Sequence, residues 1–440
     1  MTQIDSTVVN LSLSTISHDL HASLDSAQWI ISGYLLALAL TMPLNAWLVH
    51  RLGAKRLDLW CFSAFTLASV LCGMESTING LIWTRVFQGM AGGLLTPMAQ
   101  MMLARAAGRH MARVMGYTAI PVFMAPFLGP ILAGTILKYA GWPWLFYINL
   151  PIGILAVSAA AFVLPMDEAP NKDRPFDFLG FLLISPGVAS LLYGLDYASH
   201  GEGTLFLPLG LILVGVFVWH AIRKQAGALI DLRLFRNRVF SIATMAQFFS
   251  HGANFTGQML VPLFLIAGCG TSPARAGLML APMALGLISV NSMLAYLIER
   301  FNCRSVSVGG TIVAMLSTLP FLWMTQHQMS PILVAVCSFA RGAGQGAVFL
   351  PSIAAAYASV PRHQLAPAAT ASNIVQRLGG PIGTTIMAIV LSHSDRYVPA
   401  GRPQAFIMGF YALIGLQLAL FYPAGRLPRR LGQERVLERS

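Results

Sequence analysis

Residues 125–136 read A-P-F-L-G-P-I-L-A-G-T-I, inside a long apolar run and with a composition that disfavours a water-soluble helix. Pro126 and Pro130 each remove a backbone donor and bend a helix axis. Ala125, Gly129 and Ala133 recur every four residues and so share one face. Small residues on one face let a neighbouring helix backbone come very close, which is how helices associate in lipid. Taken alone, the stretch is a kinked packing helix of a membrane protein.

The rest of the chain agrees. Its 440 residues are 56% hydrophobic and only 10% charged, against about 25% charged in soluble domains. A spanning helix needs about 20 apolar residues. Fourteen spans are expected, near 3–17, 27–48, 57–73, 78–104, 114–137, 143–165, 177–195, 205–222, 239–267, 276–298, 306–324, 331–358, 366–391 and 404–422. The apolar runs are continuous and do not alternate, which excludes a transmembrane β-barrel.

The net charge of +12 is an orientation signal and not a nucleic-acid footprint. With the first connection outside, the inner segments carry 21 Lys and Arg and the outer ones four; Arg85, Arg341 and Arg377 fall within spans. By the positive-inside rule both termini are cytoplasmic. The five cysteines form no close pair, so neither a disulfide framework nor a metal site is expected. No removable signal peptide is expected, and no G-x-x-x-x-G-K-[ST] loop for binding ATP occurs. No Ser/His/Asp, metal-ligand or paired-carboxylate set lies in the spans, so an enzyme is not expected.

Several segments resemble one family. A-P-x-x-G-P-x-x-x-G, formed by Ala125, Pro126, Gly129, Pro130 and Gly134, is similar to the fifth-helix signature of proton-coupled exporters of the major facilitator superfamily. There it is thought to seal the path between states. Ile4–Ser14, I-D-S-T-V-V-N-L-S-L-S, resembles the first-helix motif of the fourteen-helix drug:proton antiporters of the EmrB/QacA type, with Asp5, Thr7 and Asn10 matching and Ser14 in place of a proline. R-V-F-Q-G-M-A-G-G from Arg85 resembles the family's R-x-x-Q-G-x-G-x-A. W-P-W-L-F-Y-I-N-L-P-I-G from Trp142 departs from the family's form at Pro143, and its tryptophans are placed as interfacial anchors. Leu229–Phe240 matches the segment before helix nine and reads as a strip on the inner leaflet, apolar on one side and basic on the other.

The resemblance implies proton coupling through Asp5 and Arg85, with Gln88 on nearly the same face as Arg85. Only four residues precede Asp5, and a first helix of about 15 residues spans about 23 Å, less than the hydrocarbon core of about 30 Å. Two readings of Asp5 therefore stand open: a proton-carrying carboxylate, or a charge at a wet helix end. An apolar in-frame extension upstream of Met1 is expected on the first. W-L-V-H-R-L-G-A-K-R, residues 47–56, resembles the superfamily's cytoplasmic loop at Arg51, Gly53 and Lys55. His50 stands where that loop has an acid thought to latch the halves, and Ala46 replaces a glycine.

An internal repeat follows from spacing. Arg51 is echoed by Arg300, Arg85 by Arg341 and Pro130 by Pro381, at offsets of 249, 256 and 251. Two six-helix halves, 1–165 and 229–425, are expected around a linker with two inserted helices, 166–228, and before a tail, 426–440. Thr244, Gln247, His251, Asn254 and Gln258 form one stripe on a helix. It is open to two readings, a helix–helix seam or a substrate-cavity wall. Asn373 and Gln376 are further cavity candidates.

The expected function is proton-driven efflux of small amphipathic compounds across a bacterial inner membrane, with the proton gradient as energy source and no cofactor. A narrow-substrate metabolite exporter on the same fold is one alternative. A non-transporting partner or sensor is another, favoured by His50 and the short first helix. Assembly with a periplasmic adaptor and an outer-membrane channel is possible for relatives, and nothing in this sequence shows it.

Overall fold

The computed structural model of the chain describes residues 1–107, 113–114, 117–118, 129, 132–164, 175–196, 203–394 and 403–430. Ala125, Pro126 and Pro130, most of the 166–176 linker and residues 431–440 lie outside the described residues. Among the described residues every regular element is a helix. In order they are α1 (Thr2–Asp19), α2 (Leu24–Thr41), α3 (Asn45–Leu52), α4 (Ala54–Met74), α5 (Ile78–Ala107), α6 (Trp144–Tyr147), α7 (Asn149–Val163), α8 (Phe178–Asp196) and α9 (Gly203–Lys224). Then follow α10 (Arg238–Leu263), α11 (Pro273–Leu280), α12 (Pro282–Ser292), α13 (Leu294–Phe301), α14 (Cys303–Leu316), α15 (Leu319–Met324), α16 (Pro331–Ala358), α17 (Leu365–Ser394) and α18 (Ile407–Ala424). A helical stretch also covers 132–139.

Ten helical segments among the described residues are long and apolar enough to cross a membrane. Three more long helices, α1, α5 and α10, are less apolar because they carry polar side chains along their length. Those three hold most of the candidate site. Starts are set locally: Ser23, Asn237, Ser272 and Ser330 each accept a backbone N–H of the first turn of α2, α10, α11 and α16, satisfying donors that have no intrahelical partner. Close packing comes from small residues. Gly89 and Gly93 of α5 lie against the carbonyls of Tyr34 and Leu38 of α2, with no room for a Cβ.

Two of the positions that echo each other in sequence have similar backbone turns. Gly53, between α3 and α4, has φ 86° and ψ 156°; Asn302, between α13 and α14, has φ 68° and ψ 160°. Two residues later the basic side chain does the same thing in each case. Lys55 Nζ donates to Leu164 O at 2.8 Å, and Arg304 Nε donates to Leu427 O at 2.8 Å. Each cation sits on carbonyls just past a helix C-terminus, of α7 and of α18, where a positive charge is favoured. Arg51 lies over the Trp47 ring at 5.7 Å.

The segment before α10 matches its reading as a strip: Leu229, Ile230 and Leu234 are buried while Arg233, Arg236 and Arg238 are exposed. Ala133 of the small-residue face is buried, and Gly134 beside it is exposed, with no atom among the described residues within 4 Å of where its Cβ would stand. One expectation needs correction. Trp142 is buried edge-on against Phe146 at 6.1 Å and is no surface anchor; Trp144, exposed and edge-on to Tyr147, keeps that placement.

Candidate functional site

Asp5 lies in the first turns of α1, Arg85 in the second turn of α5, and both are enclosed, with side chains 0% and 1% exposed. Helix α1 spans about 27 Å by its rise, and Arg85, Gln88 and Asn149 cover the carboxylate. The reading of Asp5 as a charge at a wet helix end is therefore overturned. Arg85 Nη1 donates to Asp5 Oδ2 at 2.6 Å and to Gln88 Oε1 at 2.5 Å; its Nε reaches Ile30 O at 3.4 Å. Gln88 Nε2 donates to Asp5 Oδ1 at 3.2 Å and to Ser69 Oγ at 2.7 Å. Asn149 Nδ2 donates to the same Oδ1 at 2.8 Å. The guanidinium carbon stands 4.2 Å from the Tyr34 ring centroid and 5.6 Å from that of Phe146, a cation–π cage.

Five helices, α1, α2, α4, α5 and α7, thus converge on one carboxylate. A buried charge is tolerable only when paired and hydrogen-bonded, and Asp5 accepts from three side chains. Asn149 is the member that sequence reasoning missed. Its signal was faint: it is the one uncompensated polar side chain in the apolar run that opens α7, in a segment valued for its tryptophans.

Gly129 belongs to the same region. A Cβ built there would stand 2.6 Å from Thr7 Cγ2 and 2.9 Å from Thr7 Cβ, half a turn from Asp5 on α1. The small-residue face of the 125–136 stretch is thus tight where it can be seen, against the helix that carries the carboxylate.

The α10 stripe divides. Thr244 and Gln247 are buried, and Gln247 Oε1 accepts from Ser372 Oγ of α17 at 2.7 Å, so this end is a helix–helix seam. His251 and Asn254 are partly exposed and Gln258 is exposed, with Gln258 Nε2 donating to Asn254 Oδ1 at 2.9 Å. The His251 ring lies between Phe255, at 4.8 Å, and Phe349, at 6.0 Å. Arg341 of α16, the echo of Arg85, is buried against α10 and donates to the carbonyls of Gly257, Ala253 and Asn254 at 3.1–3.4 Å. Where Arg85 meets a carboxylate, Arg341 meets only backbone among the described residues.

The N- and C-terminal helices are joined near one end of the bundle. Gln100 Oε1 of α5 accepts from Tyr357 Oη at 2.6 Å and from Asn373 Nδ2 at 2.7 Å, and Asn45 Nδ2 of α3 reaches Thr370 Oγ1 at 3.3 Å. Asn373 is therefore part of an inter-helix lock and not a free cavity wall, while Gln376 one turn on keeps a buried Oε1 with no hydrogen-bond partner. The turns at Gly53 and Asn302 lie toward this same end. Helix α8 bridges α2 and α17 farther along both helices, away from this lock: Trp29 of α2 stacks on Tyr193 at 6.2 Å, and Thr385 of α17 donates to Leu195 O at 2.9 Å.

Residues 1–384 match the family model described as Major Facilitator Superfamily. The chain belongs to that superfamily. It is a multi-pass membrane protein of that type. It is 35% identical over 403 residues to the "Multidrug resistance protein B homolog" of Mycobacterium tuberculosis, covering 89% of this chain and 74% of the relative. It is 30% identical over 454 aligned residues to the "Putative multidrug resistance protein MdtD" of Cronobacter sakazakii, covering all of this chain and 94% of the relative. Among solved structures the proton:xylose symporter XylE superposes with a TM-score of 0.66 at 13% identity, over 99% of this chain and 95% of that one; at that identity the likeness concerns the fold.

The buried cluster of Asp177 is a second feature that sequence reasoning missed. Its carboxylate caps α8 through Gly180 N at 3.1 Å and accepts from Leu229 N at 3.0 Å, His220 Nε2 at 3.0 Å and Lys224 Nζ at 2.7 Å. It ties α8 and α9 to the strip before α10.

Proposed function

We propose that this chain exports small amphipathic organic compounds, several drugs among them, in exchange for protons, as a fourteen-helix transporter of the EmrB/QacA type. The count is reached by adding α1, α5, α10 and the helix containing 132–139 to the ten apolar spans. The two six-helix halves would be 1–165 and 229–425, with α8 and α9 inserted. The relatives at 30–35% identity support multidrug export, and the excess of inner Lys and Arg supports cytoplasmic termini in an inner membrane. On that orientation the lock at Gln100, Tyr357 and Asn373 ties the halves together on the cytoplasmic side.

The observation that carries the proposal is the enclosed Asp5–Arg85 pair with Gln88 and Asn149. A proton on Asp5 removes the counter-charge of a guanidinium that has no water to turn to. Breaking a buried pair costs about 3–5 kcal/mol. Moving a two-state equilibrium from 1:99 to 99:1 takes about 5.5 kcal/mol. One protonation is therefore of the right size to drive rocking of the halves. Gly129 against Thr7 couples the fifth spanning helix to that event.

The test is transport in inside-out membrane vesicles. Ethidium and other amphipathic dyes should be taken up when a proton gradient is imposed and released when a protonophore collapses it. Failure of every dye in a broad panel, with the protein inserted, would contradict multidrug export.

A further inference from the structure

A groove of about 250 Å³ opens on the side of the bundle between α12, α13, α14 and α16. Its floor is Gly310 of α14 against Gly344 of α16: a Cβ on Gly310 would stand 2.7 Å from Gly344 O, and one on Gly344 would stand 2.6 Å from Gly310 O. Its sides are Leu297 and Phe301 of α13 and Val313 of α14. Phe301 and Val313 are 51% and 40% exposed, so the groove faces lipid and not the interior. Gly309, next along the floor, has no atom within 4 Å of where its Cβ would stand. Small residues let α14 and α16 touch, and the same smallness leaves the hollow above them. From Ser305 to Val313 the groove runs about 12 Å along α14, most of one leaflet's half of a hydrocarbon core about 30 Å thick.

One end of the groove is basic. Ser305, the one polar residue lining it among the described residues, lies beside Arg304. The Arg300 guanidinium carbon stands 5.7 Å from the centroid of the Phe301 ring, which walls that end. The chain after α18 returns to the same place. Arg304 Nε donates to Leu427 O at 2.8 Å and Cys303 N to Arg429 O at 3.2 Å, which brings Arg429 and Arg430 alongside. None of these four arginines makes an ion pair among the described residues, and Arg300, Arg429 and Arg430 are exposed. Glu299, the single acid on α10–α18, subtracts one charge from the group. Basic residues at the level of a leaflet surface attract anionic headgroups, and guanidinium groups suit phosphate oxygens. A second copy of the chain fits less well, because a twofold contact sets each patch against itself and would bring the arginines together.

We infer that the groove holds one acyl chain of an anionic glycerophospholipid, with the headgroup phosphate on Arg300, Arg304 and Arg429. The site is separate from Asp5 and Arg85 and does not depend on what the chain exports.

The test places full-length protein in bilayer discs of phosphatidylcholine with a trace of photoactivatable lipid. The probe carries a diazirine midway along one acyl chain and is used in two forms that differ only in headgroup, phosphatidylglycerol and phosphatidylcholine. Proteolysis and mass spectrometry locate the label. In wild type the phosphatidylglycerol probe should label residues 297–313 and 343–347 about tenfold or more above the phosphatidylcholine probe, since each arginine near the surface is worth about fivefold. Arg300→Gln combined with Arg429→Gln should erase most of that preference. Gly309→Leu fills the hollow from a position where an added Cβ meets no protein atom. It should lower groove labelling by both probes and leave labelling of the exposed face of α7 unchanged. Equal labelling by the two probes in wild type overturns the inference, even if no variant folds. So does a groove that neither probe labels, because something other than lipid then covers it. Undiminished groove labelling in folded Gly309→Leu overturns the seat of the chain, and a preference of wild-type size in the double variant overturns the seat of the headgroup.

Discussion

Replacing Gly129 by valine separates packing from gating. At this position even the first added carbon would lie 2.6 Å from Thr7 Cγ2 and 2.9 Å from Thr7 Cβ. Carbon atoms rest at about 3.5–4.0 Å, so about 1 Å must be found. Rotating the Thr7 side chain can relieve the first contact but not the second, since Cβ is fixed to the backbone, and β-branched residues have few alternatives in a helix. Helix α1 must therefore move, and it carries Asp5, whose contact with Arg85 is 2.6 Å. A shift of about 1 Å takes that contact beyond hydrogen-bonding range. Overpacking of this kind costs about 1–3 kcal/mol, which corresponds to a change of about 5- to 150-fold in a conformational equilibrium. The variant should insert and express normally, lose drug export, and show a raised passive proton or substrate leak in vesicles. Thr7→Ala in the same chain should restore part of the function by removing Cγ2. Normal export with no leak would refute the reasoning. Failure to insert would mean that the stretch serves packing alone.

Cysteines placed at Asn254 and Gln258 should react with a water-soluble thiol reagent, and one at Gln247, sealed against Ser372, should react far less; equal labelling at all three would remove the division of the stripe. Burial alone would raise the Asp177 carboxyl, but hydrogen bonds from Lys224, His220 and the backbone of Gly180 and Leu229 outweigh it and hold the group below its ordinary value of 3.8. A depressed carboxyl stabilises above its unfolded pKa and loses that contribution as pH falls through the folded one. Asp177→Asn should therefore lower the thermal midpoint at neutral pH, with the gap to wild type closing only in acid below the ordinary carboxylate range. A gap that stayed constant through and below that range would show that the charge is not what matters.

Periodic and local features were legible in the sequence. Spans are read from apolar run length, and the repeat from the offsets of Arg51 and Arg300; Gly53 and Asn302, two residues after each arginine, share a positive φ. Arg85 and Gln88 are three residues apart, so their contact is a property of the helix. What the sequence withholds depends on the third dimension. Asp5 looked marginal because depth was judged along α1 alone, whereas α2, α4, α5 and α7 enclose it from the sides. Asn149 is 144 residues from Asp5, and Asp177 is 43 and 47 residues from His220 and Lys224; no period marks either. Trp142 falls within a motif, and motif membership says nothing about which way a helix is turned. The α10 stripe is continuous in sequence, but α17 covers only its first half.

On the proposed mechanism the Asp5–Arg85 pair couples proton movement to export. Asp5→Asn keeps the shape and the hydrogen-bonding capacity at that position but cannot exchange a proton near neutral pH. In proteoliposomes loaded with a pH indicator, a substrate gradient applied to wild type should drive proton movement in the opposite direction. With the variant, inserted at the same level, substrate should still equilibrate across the membrane while the indicator stays silent and no uphill accumulation occurs. Proton movement of wild-type size in Asp5→Asn would contradict the account.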